Sequence, residues 1–102
     1  MKFGLEDYVL EKFKSVFIRY PEIDEVLIYG SRAKGNFRIG SDIDLALKGE
    51  SLNDSIAARL ANDIDNLNLV YLVDLLLINQ TENESLLKEI NSTGIAFYSK
   101  ND

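Results

Sequence analysis

The sequence predicts an α/β fold with a mixed sheet of about four strands flanked by helices, in one domain covering residues 1–102. Segments whose apolar residues recur every three or four positions alternate with short apolar segments typical of strands. A chain of 102 residues can bury one hydrophobic core and is short for two. No repeat, low-complexity tract or linker divides it. These observations together favour a single compact unit.

The first half of the chain predicts a helix, two strands and the loop between them. A helix is expected over residues 5–20, where the apolar residues share one face and a proline follows. Glu25–Tyr29 is a short buried strand that Gly30 ends. Residues 31–41 hold two glycines and three cations, and predict a loop with room for one helical turn. Asp42–Lys48 alternates in polarity and predicts a strand with one apolar face.

The second half predicts two more helices and two more strands, in the order helix 51–67, strand 70–78, helix 81–93 and strand 95–98. Ser51 and Thr81 are the expected helix caps, because Ser and Thr side chains accept hydrogen bonds from the first helical N–H groups. Gly94 suits the end of the last helix. The strand over 70–78 is apolar on both faces except at Asp74, which predicts a buried strand.

Composition excludes several classes of site and partner. The chain contains no cysteine and no histidine, so disulfides, thiolate zinc sites and histidine bases are excluded, and any metal must be held by oxygen. The net charge of −6 argues against direct binding of duplex nucleic acid. No apolar run is long enough to span a membrane, and the acidic N-terminus does not fit a signal peptide. The expected location is the cytoplasm.

The sequence Asp-Ile-Asp occurs twice, in two different settings. Asp42 and Asp44 are two positions apart on a predicted strand, so both carboxylates point to one side, where they can bracket divalent cations. Asp63 and Asp65 lie on a predicted helix, where positions i and i+2 diverge. We expect only the first copy to have a function and the second to form a solvated helix face.

Asp74 is the third acid of interest, because its neighbours in the sequence are apolar. A buried ionised carboxylate is costly without a cation or hydrogen-bond donors. If its strand lies beside that of Asp42 and Asp44, three carboxylates about 5 Å apart repel by about 3 kcal/mol per pair at an effective dielectric of 20. A bound cation or a raised pKa would relieve this repulsion.

Gly30 and Ser31 follow the first strand and are suited to binding an anion. Glycine allows a ligand to approach the backbone, and successive N–H groups in a tight turn can surround a phosphate. The cations Arg32, Lys34 and Arg38 follow in an otherwise acidic chain. Opposite a pair of carboxylates, this turn predicts half of a site for magnesium and a triphosphate.

These motifs resemble the minimal nucleotidyltransferases of the DNA polymerase beta superfamily. The shared segments are GSRAKG from Gly30, SDIDL from Ser41 and VDL around Asp74. They match the family's Gly-Ser turn, its pair of acids on the next strand and its third acid on a later strand. The resemblance covers nearly the whole chain and implies the nucleotidyltransferase fold, which is that of the polymerase beta palm.

The resemblance also implies the roles of individual residues. The residues implied to bind the nucleotide are Gly30, Ser31, Arg32 and Ser41, with Arg32 in contact with phosphate. The residues implied to be catalytic and to bind metal are Asp42, Asp44 and Asp74. The implied cofactor is a pair of Mg²⁺ ions, with Mn²⁺ as a substitute. The implied substrate is ATP or another NTP.

Short members of this family are typically paired with an all-helical HEPN protein in toxin–antitoxin modules. There the antitoxin transfers AMP from ATP to a tyrosine of the toxin, so the resemblance implies a protein adenylyltransferase that acts as an antitoxin. Two alternatives stay open. The chain could neutralise a HEPN partner by docking without catalysis. It could also modify a small molecule, with the acceptor pocket built between subunits of a homo-oligomer.

Overall fold

The computed structural model describes residues 1–101 and has the predicted order of elements. They are α1 (Asp7–Phe17), β1 (Glu25–Tyr29), α2 (Ser31–Lys34), β2 (Ile43–Lys48), α3 (Asp54–Asp65), β3 (Val73–Leu77), a 3-10 turn (Ile78–Gln80), α4 (Glu84–Thr93) and β4 (Ile95–Ser99). The α/β class with a four-stranded sheet flanked by helices is therefore confirmed. Within residues 1–101, no helix is long and apolar enough to cross a membrane.

The four strands form one mixed sheet in the order β3-β2-β1-β4. β1 pairs antiparallel with β2 and with β4, whereas β2 and β3 run parallel. The C-terminal end of β1 and the N-terminal ends of β2 and β3 therefore lie side by side, at one end of the strands. All of the site residues expected from the sequence lie at or next to this end.

Helices cover both faces of the sheet, so the strands contribute to two apolar clusters. The larger cluster joins α1 and α3 to one face and includes Phe13, Phe17 and Leu60, all with no exposed surface. The smaller cluster places Ile90 of α4 against Ala46 on the other face. Because successive side chains of a strand alternate between faces, Asp44 lies on the same face as Ala46, the face that α4 covers.

Several boundaries differ from those expected, each for a local reason. β3 begins at Val73, whereas the apolar segment 70–78 predicted a longer strand. The predicted caps at Ser51 and Thr81 are wrong, because the Asn53 and Asn83 side chains accept the capping hydrogen bonds. Asparagine is as good an N-cap as serine, and in both cases it lies nearer to the first helical turn.

Candidate active site

A row of three polar side chains, Tyr29, Asp44 and Asp74, crosses the sheet near this end of the strands. Asp44 on β2 is directly opposite Asp74 on β3, and Tyr29 on β1 is opposite Asp44 from the other side. The three share the face of the sheet that α4 covers. The predicted proximity of the Asp74 strand to the Asp44 strand is therefore confirmed.

Asp42, the third of the predicted acids, lies just before the first residue of β2. It is exposed and lines a cavity of about 240 Å³ together with Asp74 and Asp65. Leu72 forms part of the same cavity wall. Asp42 and Asp74 therefore face a shared space at the edge of the sheet, where a ligand can enter from solvent.

Burial and repulsion act mainly on Asp44. Burial raises the pKa of the Asp44 carboxyl, and the negative charges of Asp74, Asp42 and Glu89 raise it further. The sequence placed the cost of desolvation on Asp74, and this expectation was wrong, because β3 is an edge strand and Asp74 is exposed. The acid whose ionised form the fold opposes is the central member of the row.

The turn at Gly30 fits against the Asp44 carboxylate. Gly30 has φ of +75°, a conformation that side chains disfavour, and a Cβ there would lie 2.5 Å from Asp44 Oδ2. Ser31 begins α2, so the first N–H groups of this short helix have no helical acceptor. The turn thus brings free backbone donors next to the acids.

Two residues expected at the nucleotide are engaged elsewhere. The Arg32 side chain is only 3 % exposed and donates hydrogen bonds to the carbonyl oxygens of Phe3 and Ser41. Arg32 therefore lies buried, with its guanidinium bonded to backbone carbonyl groups. The Ser41 hydroxyl accepts a hydrogen bond from the Arg38 N–H at 2.8 Å, which orders the loop before Asp42.

Glu89 is a site residue that the sequence did not reveal. It lies on α4, and its charge contributes to the raised pKa of both Asp44 and Tyr29. Its carboxylate pairs with Lys34 at 3.2 Å, which links α2 to α4 beside the row of acids. A glutamate among the polar residues of an amphipathic helix gives no sequence signal, because only the packing of α4 brings it to the site.

The second Asp-Ile-Asp copy diverges as expected, but it is not simply a solvated face. Asp63 accepts a hydrogen bond from the Tyr20 hydroxyl at 2.5 Å and so ties α3 to the end of the α1 segment. Asp65 points away from it and lines the cavity of Asp42 and Asp74. The expectation of solvation was therefore wrong for Asp63, since its partner is 43 residues away in the sequence.

Comparison with known families identifies the fold. The family described as "Polymerase beta, Nucleotidyltransferase" matches residues 11–102. The chain belongs to this nucleotidyltransferase family. The comparison with curated proteins gave no match.

Solved structures of similar fold come from toxin–antitoxin complexes. One, a toxin–antitoxin with AMP-PNP, has 20 % identity and a TM-score of 0.71, with 88 % of this chain and 73 % of that chain covered. Another, of the MntA-HepT toxin–antitoxin, has 17 % identity and a TM-score of 0.68, with coverage of 94 % and 74 %. A third, of a tri-AMPylated Shewanella oneidensis HEPN toxin in complex with MNT antitoxin, has 17 % identity and a TM-score of 0.68, with 95 % of this chain and 75 % of that chain covered. At these identities the likeness shows the fold.

Nucleotidyltransferases of this family generally use divalent metals, and the acids here suit a hard cation. The candidate ligands are Asp42, Asp44 and Asp74; burial, and then the charges of the other two acids, raise the pKa of Asp44. Within residues 1–101, however, no three acids stand close enough together to hold one ion as the side chains lie. The donor type fits a hard cation, but as the side chains lie they do not form a set of ligands for one ion.

Proposed function

We propose that this nucleotidyltransferase transfers AMP from ATP to a hydroxyl group of a protein, with magnesium as cofactor. The observation that carries the proposal is that Asp44 and Asp74 lie opposite each other on neighbouring strands, beside the Gly30–Ser31 turn. It combines a group of acids for cations with backbone donors for phosphate. Neither half alone would favour a transferase, because each occurs singly in many proteins.

The chain's own residues account for the binding of the nucleotide. The backbone of Gly30 and Ser31 is suited to the triphosphate, since Gly30 carries no side chain and the N–H groups that follow are free. Asp42, Asp44 and Asp74 would hold the magnesium ions. When bound, magnesium neutralises phosphate charge and lowers the pKa of the acceptor hydroxyl.

The proposed reaction is an in-line displacement at the α-phosphorus. The acceptor oxygen forms a bond to that phosphorus as the bond to the bridging oxygen of pyrophosphate breaks. The proton of the acceptor hydroxyl passes to the Asp74 carboxylate, which is exposed and lies at the cavity. Pyrophosphate leaves with the electron pair of the broken bond.

A protein acceptor is supported by exposed apolar side chains near the cavity. Leu72, in the cavity wall, is 74 % exposed, and Val70 is 92 % exposed. Ile39, two residues before Ser41, is fully exposed. Val70 and Leu72 are two residues apart beside the cavity, and neighbouring exposed apolar side chains are typical of protein contacts. The likeness to complexes with HEPN toxins makes a tyrosine of a HEPN protein the proposed acceptor, and the chain its antitoxin.

The test is incubation of the purified chain with ATP, Mg²⁺ and a candidate HEPN partner from the same genome, followed by intact mass spectrometry. We expect one added adenylyl group for each modified hydroxyl and one pyrophosphate released for each group. Asp65→Asn removes a carboxylate from the same cavity but not from the proposed metal site. It should retain transfer, and it is the matched control for Asp42→Asn with Asp44→Asn. Inhibition of the HEPN protein with no change in its mass would favour docking over transfer.

A further inference from the structure

Arg32 is a buried cation with an unusual set of partners. In an acidic chain it forms no ion pair among residues 1–101, and only 3 % of its surface is exposed. Its Nη1 donates to the Phe3 carbonyl oxygen and its Nη2 to the Ser41 carbonyl oxygen, each at 2.8 Å. The guanidinium carbon lies 5.1 Å from the ring centre of Phe37 and 5.0 Å from that of Tyr71. These contacts compensate the charge and leave no exposed face for a phosphate.

The partners of Arg32 come from the segments that frame the site. Phe37 and Ser41 belong to the loop that leads to Asp42, and Tyr71 precedes β3, which carries Asp74. The Ser41 carbonyl and the Asp42 N–H belong to the same planar peptide unit, so the two hydrogen bonds to that oxygen restrict the backbone of Asp42 directly. One guanidinium therefore connects the loop before Asp42 to the segment before Asp74.

The N-terminal turn closes the same cluster from another side. Gly4 has φ of +71°, and a Cβ at this position would overlap the Phe37 ring and lie 3.0 Å from Arg32 Nη1. Gly4 thus allows the backbone of the turn to pack directly on the guanidinium group. This packing is a second, independent way to disturb the cluster without changing Arg32.

We propose that Arg32 is a positioning residue that holds Asp42 in place for cation binding, and that it does not contact the phosphates. The inference rests on the proposed function only for the assignment of Asp42 to the metal site. A phosphate ligand needs an accessible guanidinium, whereas a positioning residue needs a buried guanidinium that is hydrogen-bonded to the segments it holds. The observed burial and hydrogen bonds are those of the second kind.

The test is a titration with Tb³⁺, a cation that also prefers oxygen ligands and whose luminescence is excited through nearby tyrosines. Arg32→Lys retains the charge but cannot bond two carbonyl groups with a planar fork. We expect Arg32→Lys and Gly4→Ala each to weaken Tb³⁺ binding about 10-fold, the effect typical of residues that orient a metal ligand. Arg38→Lys, in the same loop but exposed, is the matched control and should bind Tb³⁺ as the wild-type chain does.

The outcomes separate this inference from the proposed function. Unchanged Tb³⁺ affinity in both folded variants, with binding lost in Asp42→Asn, would overturn the role of Arg32 and leave the metal site intact. Failure of the wild-type chain to bind Tb³⁺ would overturn both. Binding without transfer would count only against the proposed activity.

A measurement on the wild-type chain protects the test against variants that fail to fold. The side-chain Nε–H of Arg32 should give a slowly exchanging NMR signal at neutral pH, because it is buried and hydrogen-bonded to the Ser41 carbonyl at 3.2 Å. Exchange as fast as that of the exposed Arg38 would overturn the inference. In transfer assays, Arg32→Lys should lower kcat and leave the KM for ATP nearly unchanged, whereas loss of a phosphate contact would raise the KM.

Discussion

Asp44 is the single side chain on which the electrostatics of the site converge. Its pKa is raised from 3.8, so the folded chain binds a proton at this carboxyl more readily than the unfolded chain does. Folding stability therefore falls as the pH rises from 3.8 through the raised pKa, and the penalty persists at neutral pH. The fold therefore disfavours the ionised form of Asp44, which is the cost expected of a carboxylate kept for the proposed metal site.

We expect Asp44→Asn to raise the thermal unfolding temperature of the metal-free chain at pH 7. The gain should shrink as the pH is lowered toward 3.8, where the wild-type carboxyl becomes neutral as well. Scanning calorimetry over this pH range checks both statements. Asp54→Asn, an exposed acid on α3, is the control and should show no comparable gain. A lower unfolding temperature for Asp44→Asn at pH 7 would contradict the assignment.

Gly30 is a position where an added Cβ atom would disturb the turn beside Asp44. Gly30→Ala would place a methyl group 2.5 Å from Asp44 Oδ2 at a φ of +75°. We expect a loss of about 1–3 kcal/mol in the free energy of unfolding, together with weaker ATP binding. Urea denaturation and calorimetric titration measure these effects. Gly40→Ala has a similar φ but open space around its Cβ, so strain alone should leave ATP binding intact.

The ion pair of Lys34 on α2 with Glu89 on α4 lies beside Asp44, and the Glu89 charge contributes to the raised pKa of Asp44. Glu89→Gln removes a negative charge that raises the pKa of Asp44, so that pKa should fall toward its ordinary value. It also releases Lys34, and loss of this partly exposed pair should cost only about 0–1 kcal/mol of stability. Carboxyl NMR titration measures the pKa. Glu84→Gln on the same helix should leave it unchanged.

The segment before β3 provides the test of a protein acceptor. Val70→Ser with Leu72→Ser should reduce AMP transfer to the HEPN protein more than about 10-fold and leave ATP binding unchanged. Ile18→Ser removes a side chain that is 67 % exposed at the end of α1, far along the chain, and should have no effect. Equal transfer by both variants would show that Val70 and Leu72 do not contact the protein acceptor.

For the molecule as a whole, metal binding and folding should be linked through the carboxylates. Mg²⁺ at about 100 times its Kd should stabilise the wild-type chain by about 2.7 kcal/mol. Asp42→Asn with Asp44→Asn should lose that effect and lower transfer more than about 100-fold. The metal-free stability of this double variant should be unchanged or higher, because repulsion is removed. A clear drop in its metal-free unfolding temperature would show that these acids are structural.

The sequence by itself determined the class of fold, the order of the elements and the Gly30, Asp42 and Asp44 motif. Those features depend on short-range physics: the periodicity of apolar residues, the breaking of elements by glycine and proline, and the alternation of side chains along a strand. The pairing of the Asp74 strand with the Asp44 strand was a condition of the predicted site, and the register of β2 with β3 meets it.

Tertiary packing decided the rest. The exposure of Asp74 depends on β3 lying at the edge of the sheet, and the burial of Arg32 depends on Phe3 and Tyr71, which are distant from it in the sequence. Glu89 joins the site only because α4 packs across β1. Local patterns specify which residues are polar, but their burial and charge environment are set by contacts that form only when distant segments meet.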